Sequence, residues 1–289
     1  MTTATEIAPL PHLLIEPLVR AALAEDLGRA GDITSDAVIP AEVRAETAVV
    51  ARQPGRVAGL DLALTAWRLL EPGLVVRVRL GDGSDVAPGE EIARVAGPAR
   101  AMLTGERVAL NFMGRLCGIA TATREIVAAV SGTKARITCT RKTTPGLRAL
   151  EKYAVRIGGG VNHRFGLDDG VLIKDNHIAI AGGIAPAVER ARGAVGHMVK
   201  IEVEVDSLDQ LEQALKLRVE AVLLDNMTPS MLREAVAMIG GRAISEASGR
   251  VNRETAPAIA ASGVDLISVG WLTHSAPTLD LGLDFRKIG

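Results

Sequence analysis

The sequence is short of four things, and each shortage removes a class of protein. Aromatic residues make up only 2% of its 289 positions, so the stacking platforms that bind unpaired bases are almost missing. There are two cysteines, Cys117 and Cys139, too few for a disulfide framework and without the spacing of metal-binding pairs. Both sit in apolar patterns and read as buried free thiols, which suits a reducing compartment. Apolar runs of membrane-spanning length, about 20 residues, do not occur. The opening stretch MTTATEIAPLPHLL has no basic region and no long apolar run, so neither a signal peptide nor an anchor is expected. The expected localisation is cytoplasmic. An excess of either charge is also missing: 33 basic side chains face 34 acidic ones, unlike the basic domains that bind nucleic acid.

Against that neutral background one stretch is crowded with cations. Residues 139–178, CTRKTTPGLRALEKYAVRIGGGVNHRFGLDDGVLIKDNHI, hold Arg141, Lys142, Arg148, Lys152, Arg156, Arg164 and Lys174, with His163 and His177. A near-neutral chain with a local cluster of this kind leaves room for a pocket aimed at a small anion.

The chain divides by pattern. Residues 1–12 read as a flexible tail. Residues up to about 105 read as a mixed α+β unit. It opens with a helix from Pro11 to Asp26 carrying Leu13, Leu14, Leu18, Leu23 and Leu27 on one side. A strand-like stretch, a short helix at 62–70 and a strand–turn–strand segment with Gly81–Gly83 and Pro88–Gly89 as turn signals follow. A long helix over 104–130, with Thr104 as N-cap, joins the halves; Gly114 and Gly118 would let another helix approach closely. Residues 116–275 then alternate β-rich runs at 135–140, 171–175, 200–205, 221–226, 243–248 and 265–270 with helices at 145–157, 183–195, 207–217, 228–239 and 253–262. This is the rhythm of a parallel sheet. Six short repeats point to an open α/β barrel, with a doubly wound sheet as the rival.

The unusual residues fall where these runs end. Thr140, Arg141 and Lys142 close the first, Lys174, Asp175 and Asn176 the second. Glu204 lies near the end of the third, Asp225 and Asn226 close the fourth, Glu246 and Ser248 the fifth, and Gly270 the sixth. Active sites of parallel α/β folds are built at that edge. Polar loops alone do not explain a charge such as Glu204 inside KIEVEV. Arg141, Lys142, Arg164 and Lys174, helped by His163 and His177, make a positive pocket in which Arg supplies forks and Lys a point charge. Glu204 and Asp225 make sense among them if Mg²⁺ lies between, because Mg²⁺ takes one or two carboxylates together with substrate phosphates.

Blander readings stand beside these. Arg148, Lys152 and Arg156 would form the solvated face of a helix. Glu204 has the alternative of an ion pair with a neighbouring lysine. The glycines at 158–160 suit a helix C-cap and, with no Gly-Lys-Ser/Thr after them, are not a P-loop. His274 falls in a loop with no role assigned. Lys142 or Lys174 as a Schiff-base lysine stays open on chemistry alone. The hairpin GDGSDVAPGEEIARVAG has the look of biotinyl and lipoyl carriers, but no lysine precedes Lys134 to be modified. No GxGxxG marks a first βα turn.

The segments ALAEDLGRAGDITSDAVIP, GERVALNFMGRLCGIAT, the whole 140–178 block, EVEVDSL, LLDNM, EASG and DLISVGWLTHSAPTLDLGLDF together resemble bacterial quinolinate phosphoribosyltransferase, over nearly the whole chain after residue 12. The resemblance implies transfer of phosphoribosyl from phosphoribosyl pyrophosphate to the quinolinate nitrogen. Loss of CO₂ then gives nicotinate mononucleotide and pyrophosphate, a step of NAD synthesis that uses Mg²⁺ and no redox cofactor. It implies an N-terminal α/β sandwich domain over residues 13–115, to which residues 276–289 return, an open α/β barrel over 116–275, and a homodimer in which Arg107 crosses into the partner's site, with a higher oligomer left open. It also implies that Arg141, His163 and Arg164 hold the carboxylates, and that Lys142 and Lys174 lie between the substrates. Glu204 and Asp225 would contact ribose hydroxyls and metal, and the backbone around Ser248, Gly249 and Gly270 would cradle phosphate. Thr140, His177 and Arg250 complete the expected substrate-binding set. The family often has Gly where this chain has Arg250, and that side chain's direction is left open. The other major phosphoribosyltransferase fold carries paired acids before Thr-Gly-Gly; Asp225-Asn226 without Gly-Gly disfavours it. Two alternatives remain: transfer to another carboxylated heterocycle, and a non-catalytic anion-binding paralogue.

Overall fold

The computed structural model describes residues 7–286. Contacts gather them into two units: residues 7–122, 149–159 and 275–286 in one, and 123–148 and 160–274 in the other. Positions 1–6 of the expected tail and 287–289 of the expected returning segment lie outside the described residues.

The first unit opens with α1 (His12–Leu27) and α2 (Ile33–Val38). In α1 the buried stripe is Ile15, Val19 and Leu23, four residues apart, so that they stack on one side. Of the expected leucine face only Leu23 is buried; Leu13 is 88% and Leu14 48% exposed. Asp32 caps α2, its carboxylate accepting from the Ser35 amide at 2.9 Å. The strands β1 (Arg44–Ala51), β2 (Gly55–Arg56), β3 (Val75–Val78), β4 (Asp85–Val86) and β5 (Glu91–Pro98) surround α3 (Leu60–Leu70) in sequence. β1, β3 and β5 belong to an antiparallel sheet of order β12-β1-β5-β3, in which β12 (Leu281–Arg286) pairs with β1. β2 and β4 form a separate two-stranded pair.

The long helix α4 starts at Ala99, five residues before the expected Thr104, and ends at Ala129. Thr104 is not its cap: that hydroxyl donates to Asp32 Oδ2 at 3.0 Å. The first amide of α4 instead donates to the Val43 carbonyl at 2.9 Å. Gly114 and Gly118 do permit a close approach, but of the extended segment 277–279 and not of a helix. A Cβ on Gly118 would fall on the Pro277 carbonyl oxygen, and the Leu279 amide donates to Gly114 O at 2.9 Å. α5 (Arg148–Ile157) corrects a further expectation. Only Arg156 of its three cations is exposed; Lys152 is 2% exposed, and buried Glu151 pairs with Arg115 at 2.6 Å. Gly158 and Gly159 close this helix, their amides donating to Ala154 and Arg156 carbonyls.

The second unit carries β6 (Arg136–Thr138), β7 (Val171–Ile173), β8 (Ile201–Val205), β9 (Ala221–Asp225), β10 (Ile244–Ser248) and β11 (Leu266–Ser268). All pair in parallel in the order β6-β11-β10-β9-β8-β7. Each strand from β7 to β11 lies beside its sequence neighbour, and the last lies beside the first. A doubly wound sheet needs a reversal of order, and there is none. This is an α/β barrel, open between β6 and β7 apart from one parallel bridge of Thr138 to Val161. The helices α6 (Asp175–Ala181), α7 (Ile184–Ala194), α8 (Leu208–Lys216), α9 (Pro229–Ile239) and α10 (Ala256–Ala260) follow the strands, and α11 (Trp271–His274) follows β11. Ser207 and Thr228 cap α8 and α9 by accepting amide hydrogen bonds. Among the described residues no helix is long and apolar enough to cross a membrane. Cys117 and Cys139 are both buried thiols outside any disulfide; burial pushes the Cys117 thiol up to about 12.

Candidate active site

Alternation along the barrel strands decides which side chains meet. In β8, Ile201, Val203 and Val205 are buried on one face, so Glu202 and Glu204 share the other. The same period puts Leu223 and Asp225 of β9 together, Glu246 and Ser248 of β10, and Ser268 and Gly270 at β11. All of these except Glu202 line one cavity of about 680 Å³ within the barrel unit, a volume suited to small-molecule substrates. Its remaining wall includes Thr140, Arg141 and Lys142 after β6, His163 and Arg164, Lys174 after β7, and Gly249 and Arg250 after β10.

Two of the expected substrate-binding residues are not in that wall. Arg107 is exposed on α4 in the first unit. His177 is exposed on α6, where its Nδ1 accepts from the Lys174 amide at 2.9 Å and fixes the turn from which Lys174 projects. His274, expected in a loop without a role, instead ends α11 and lines the cavity.

The loop after β6 is pinned at both ends. Thr140 Oγ1 accepts from the Lys142 amide at 3.0 Å, and Thr273 Oγ1 donates to the Lys142 carbonyl at 2.8 Å. Arg148, half-buried, donates to Thr143 Oγ1 and to the Phe165 carbonyl, both at 3.0 Å. Arg164 Nη1 donates to the Gly170 carbonyl at 2.8 Å. Burial lowers the Arg164 pKa, with repulsion from Arg141 second. Arg141 Nε is itself buried with no hydrogen-bond partner among the described residues. A guanidinium N–H left unpaired in the interior is costly, commonly ~1–3 kcal/mol, and an anion in the cavity would remove that cost.

Lys174 Nζ lies 3.0 Å from Glu204 Oε2, so the blander ion-pair reading of Glu204 also holds. Asp225 Oδ2 accepts from Asn226 Nδ2 at 2.6 Å. Both carboxylates face the same cavity with oxygen donors only, which is the chemistry Mg²⁺ prefers. Asn226 and Arg250 have positive φ, +52° and +47°, unusual for residues with a Cβ. Gly249 between them in space has φ +112°, and a Cβ there would overlap Asn226. The turn after β10 therefore brings backbone close to the cavity, and Arg250 occupies a conformation that glycine takes more easily.

Sequence reasoning passed over Glu202 and left Glu246 without a role. Below the mouth, His163 Nε2 lies 3.1 Å from Glu202 Oε2 and 3.6 Å from Glu246 Oε1. Their donor atoms are close enough to hold a metal ion. However, His163 Nδ1 accepts from the Arg164 amide at 2.8 Å, which leaves the ring proton on Nε2. That nitrogen then donates to Glu202 and is not a metal ligand. Glu246 is 1% exposed, and burial, then repulsion from Glu202, raises its pKa to about 7. A charge inside a β-rich run, which singled out Glu204, equally marks Glu202; burial of Glu246 has no comparable signal in one sequence.

An open parallel barrel whose strand ends pool guanidinium, ammonium and carboxylate groups defines the class: an α/β-barrel enzyme acting on anionic small molecules. Within that class the comparisons are specific. Residues 119–284 match the C-terminal domain of quinolinate phosphoribosyl transferase and residues 32–117 its N-terminal domain. The chain belongs to the quinolinate phosphoribosyltransferase family. It is 44% identical over 273 residues to a probable nicotinate-nucleotide pyrophosphorylase [carboxylating] of Bacillus subtilis, covering 94% of each chain. It is 46% identical over 271 residues to the nicotinate-nucleotide pyrophosphorylase [carboxylating] of Mycobacterium leprae, covering 92% of this chain and 95% of that one. The solved structure of the nicotinate-nucleotide pyrophosphorylase from Francisella tularensis superposes with a TM-score of 0.93 at 38% identity, over 98% of this chain and all of that one.

Proposed function

We propose that the barrel cavity binds quinolinate beside phosphoribosyl pyrophosphate and makes nicotinate mononucleotide, pyrophosphate and CO₂, the NAD-forming step. Family membership supports the reaction. The observation that carries the substrate assignment is the pair Arg141 and Arg164, crowded enough to repel one another, with Arg141 Nε buried and unpaired. A dicarboxylate supplies what that pair is missing.

Breaking the anomeric C–O bond develops positive charge on the sugar and negative charge on the leaving pyrophosphate. Lys142 and Lys174, exposed at the mouth, stabilise the leaving group. Glu204, already held by Lys174, and Asp225 face the ribose and steady its cationic carbon. Fixing both carboxylates aligns the ring nitrogen with that carbon. The turn of Ser248, Gly249 and Arg250, with Gly270, offers backbone and one further cation to phosphate. A Cβ on Gly270 would sit 3.1 Å from Lys142 Cδ, so glycine leaves that side chain its path. Glu204 and Asp225 are the residues that would hold Mg²⁺, which when bound neutralises pyrophosphate charge. Once the nitrogen is quaternised, the ring accepts the electron pair left by CO₂.

The same reading makes the enzyme a cytoplasmic homodimer. Exposed Arg107 on α4 is assigned to the partner subunit's quinolinate, which accounts for its place outside the cavity wall of its own chain. The test is incubation with quinolinate, phosphoribosyl pyrophosphate and Mg²⁺. CO₂ and nicotinate mononucleotide in equal amounts are expected. Neither product with quinolinate, but turnover of another carboxylated heterocycle, would replace the substrate assignment.

A further inference from the structure

Replacement of a carboxylate by hydrogen needs a proton, and nothing in the charge-stabilising account above provides one. We propose that Glu246, sealed in the barrel floor beside His163 and Glu202, is the acid that protonates ring carbon 2 after CO₂ departs. The proposal rests on the quinolinate reading. Its geometry is local: Glu246 is 1% exposed, lines the substrate cavity, and has Oε1 without a hydrogen-bond partner among the described residues.

Apart from His274 at the end of α11, the other candidate donors are committed elsewhere. Glu204 is paired with Lys174 at 3.0 Å, and Asp225 accepts from Asn226. Glu202 accepts the Nε2 proton of His163, whose Nδ1 in turn accepts from the Arg164 amide. Lys142 and Lys174 are exposed ammonium groups whose charge the leaving pyrophosphate needs. The groups facing Glu246 are Glu202 from β8, His163 from the segment after Val161, and the Ser268 hydroxyl from β11. Its register partners are Leu223 on β9 and Leu266 on β11. Burial and Glu202 favour the protonated form, His163 opposes them, and the balance leaves the group titrating at about 7. An acid poised near working pH is the most effective kind.

The step balances. The bond from C2 to its carboxylate breaks, the electron pair stays on C2, and CO₂ leaves. The Glu246 O–H bond breaks, its proton forms the C2–H bond, and the Glu246 carboxylate regains a proton from solvent when product departs. Without the acid, the carbanion can recapture CO₂.

The experiment follows pyrophosphate and CO₂ separately in a single turnover, using wild type and Glu246→Gln between about pH 6 and pH 9. Wild-type CO₂ release is expected to fall as pH rises through about 7, while pyrophosphate release does not follow it. Glu246→Gln should release pyrophosphate, slow CO₂ release about 100-fold or more, lose that pH limb, and accumulate the ribosylated dicarboxylate. Glu246→Asp should restore part of the CO₂ rate. Equal slowing of both products, or no slowing of either, overturns the assignment in an active enzyme. If Glu246→Gln does not fold, a wild-type CO₂ limb absent near pH 7 overturns it instead. A wild type releasing neither product overturns the quinolinate reading itself.

Discussion

Arg141, half-buried, and Glu246, buried, have opposite electrostatic needs. Arg141 has an unpaired N–H that an anion would satisfy. Replacing it with Ala should raise the quinolinate KM by at least about tenfold, since hydrogen bonds to charged groups contribute ~1.5–3 kcal/mol. The phosphoribosyl pyrophosphate KM should stay within about twofold; steady-state kinetics in each substrate measures both. Glu246 makes a stability prediction of definite sign. Its folded pKa, about 7, lies above the ordinary 4.5, so between those values the folded chain binds more protons than the unfolded chain. Stability from this group is therefore present at low pH and lost as pH rises to about 7. Glu246→Gln removes the loss. The variant should be more stable than wild type at about pH 8, by up to ~3 kcal/mol, and gain less at about pH 5. Denaturant melts at the two pH values check this, and a gain independent of pH would contradict the assigned titration.

The elements differ in how far the sequence revealed them. Barrel strands were legible because apolar, β-rich runs recur with helical segments between most of them, and because Glu204 and Asp225 interrupt those runs near their ends. The start of α4 was not, because its first amide is satisfied by Val43, distant in sequence, and not by a local Ser or Thr. α6 escaped notice because it buries no residue and so carries no apolar period. Lys152 looked like surface on charge alone, whereas α5 is buried on most of its circumference. Gly114 and Gly118 were read correctly as points of close approach, but one sequence does not say what approaches. That contact is testable. Gly118→Ala places a methyl on the Pro277 carbonyl, and overpacking of this kind costs about 1–3 kcal/mol. A thermal melt should show the loss, and a Gly118→Ala protein as stable as wild type would mean that segment 277–279 gives way freely.

For the whole molecule, the mouth of the barrel was legible as a set of residues, and its depth was not. Arg141, Lys142, Arg164, Lys174, Glu204 and Asp225 do converge on one cavity. The floor of Glu202, His163 and Glu246 exists only after tertiary folding joins three separate segments. Arg107 raises the question of assembly. If it serves the partner's site, Arg107→Ala and Lys142→Ala proteins should each be inactive, yet regain activity when mixed and allowed to exchange subunits. A random mixture would place one intact site in the hybrid dimer. No recovery under verified exchange would assign Arg107 to its own chain. The account as a whole depends on the cavity's demand for two adjacent carboxylates, and calorimetric titration with quinolinate and then with nicotinate, its one-carboxylate counterpart, tests this most directly. Quinolinate should bind at least about tenfold more tightly, as expected for one extra charge-assisted contact; equal affinities would contradict it.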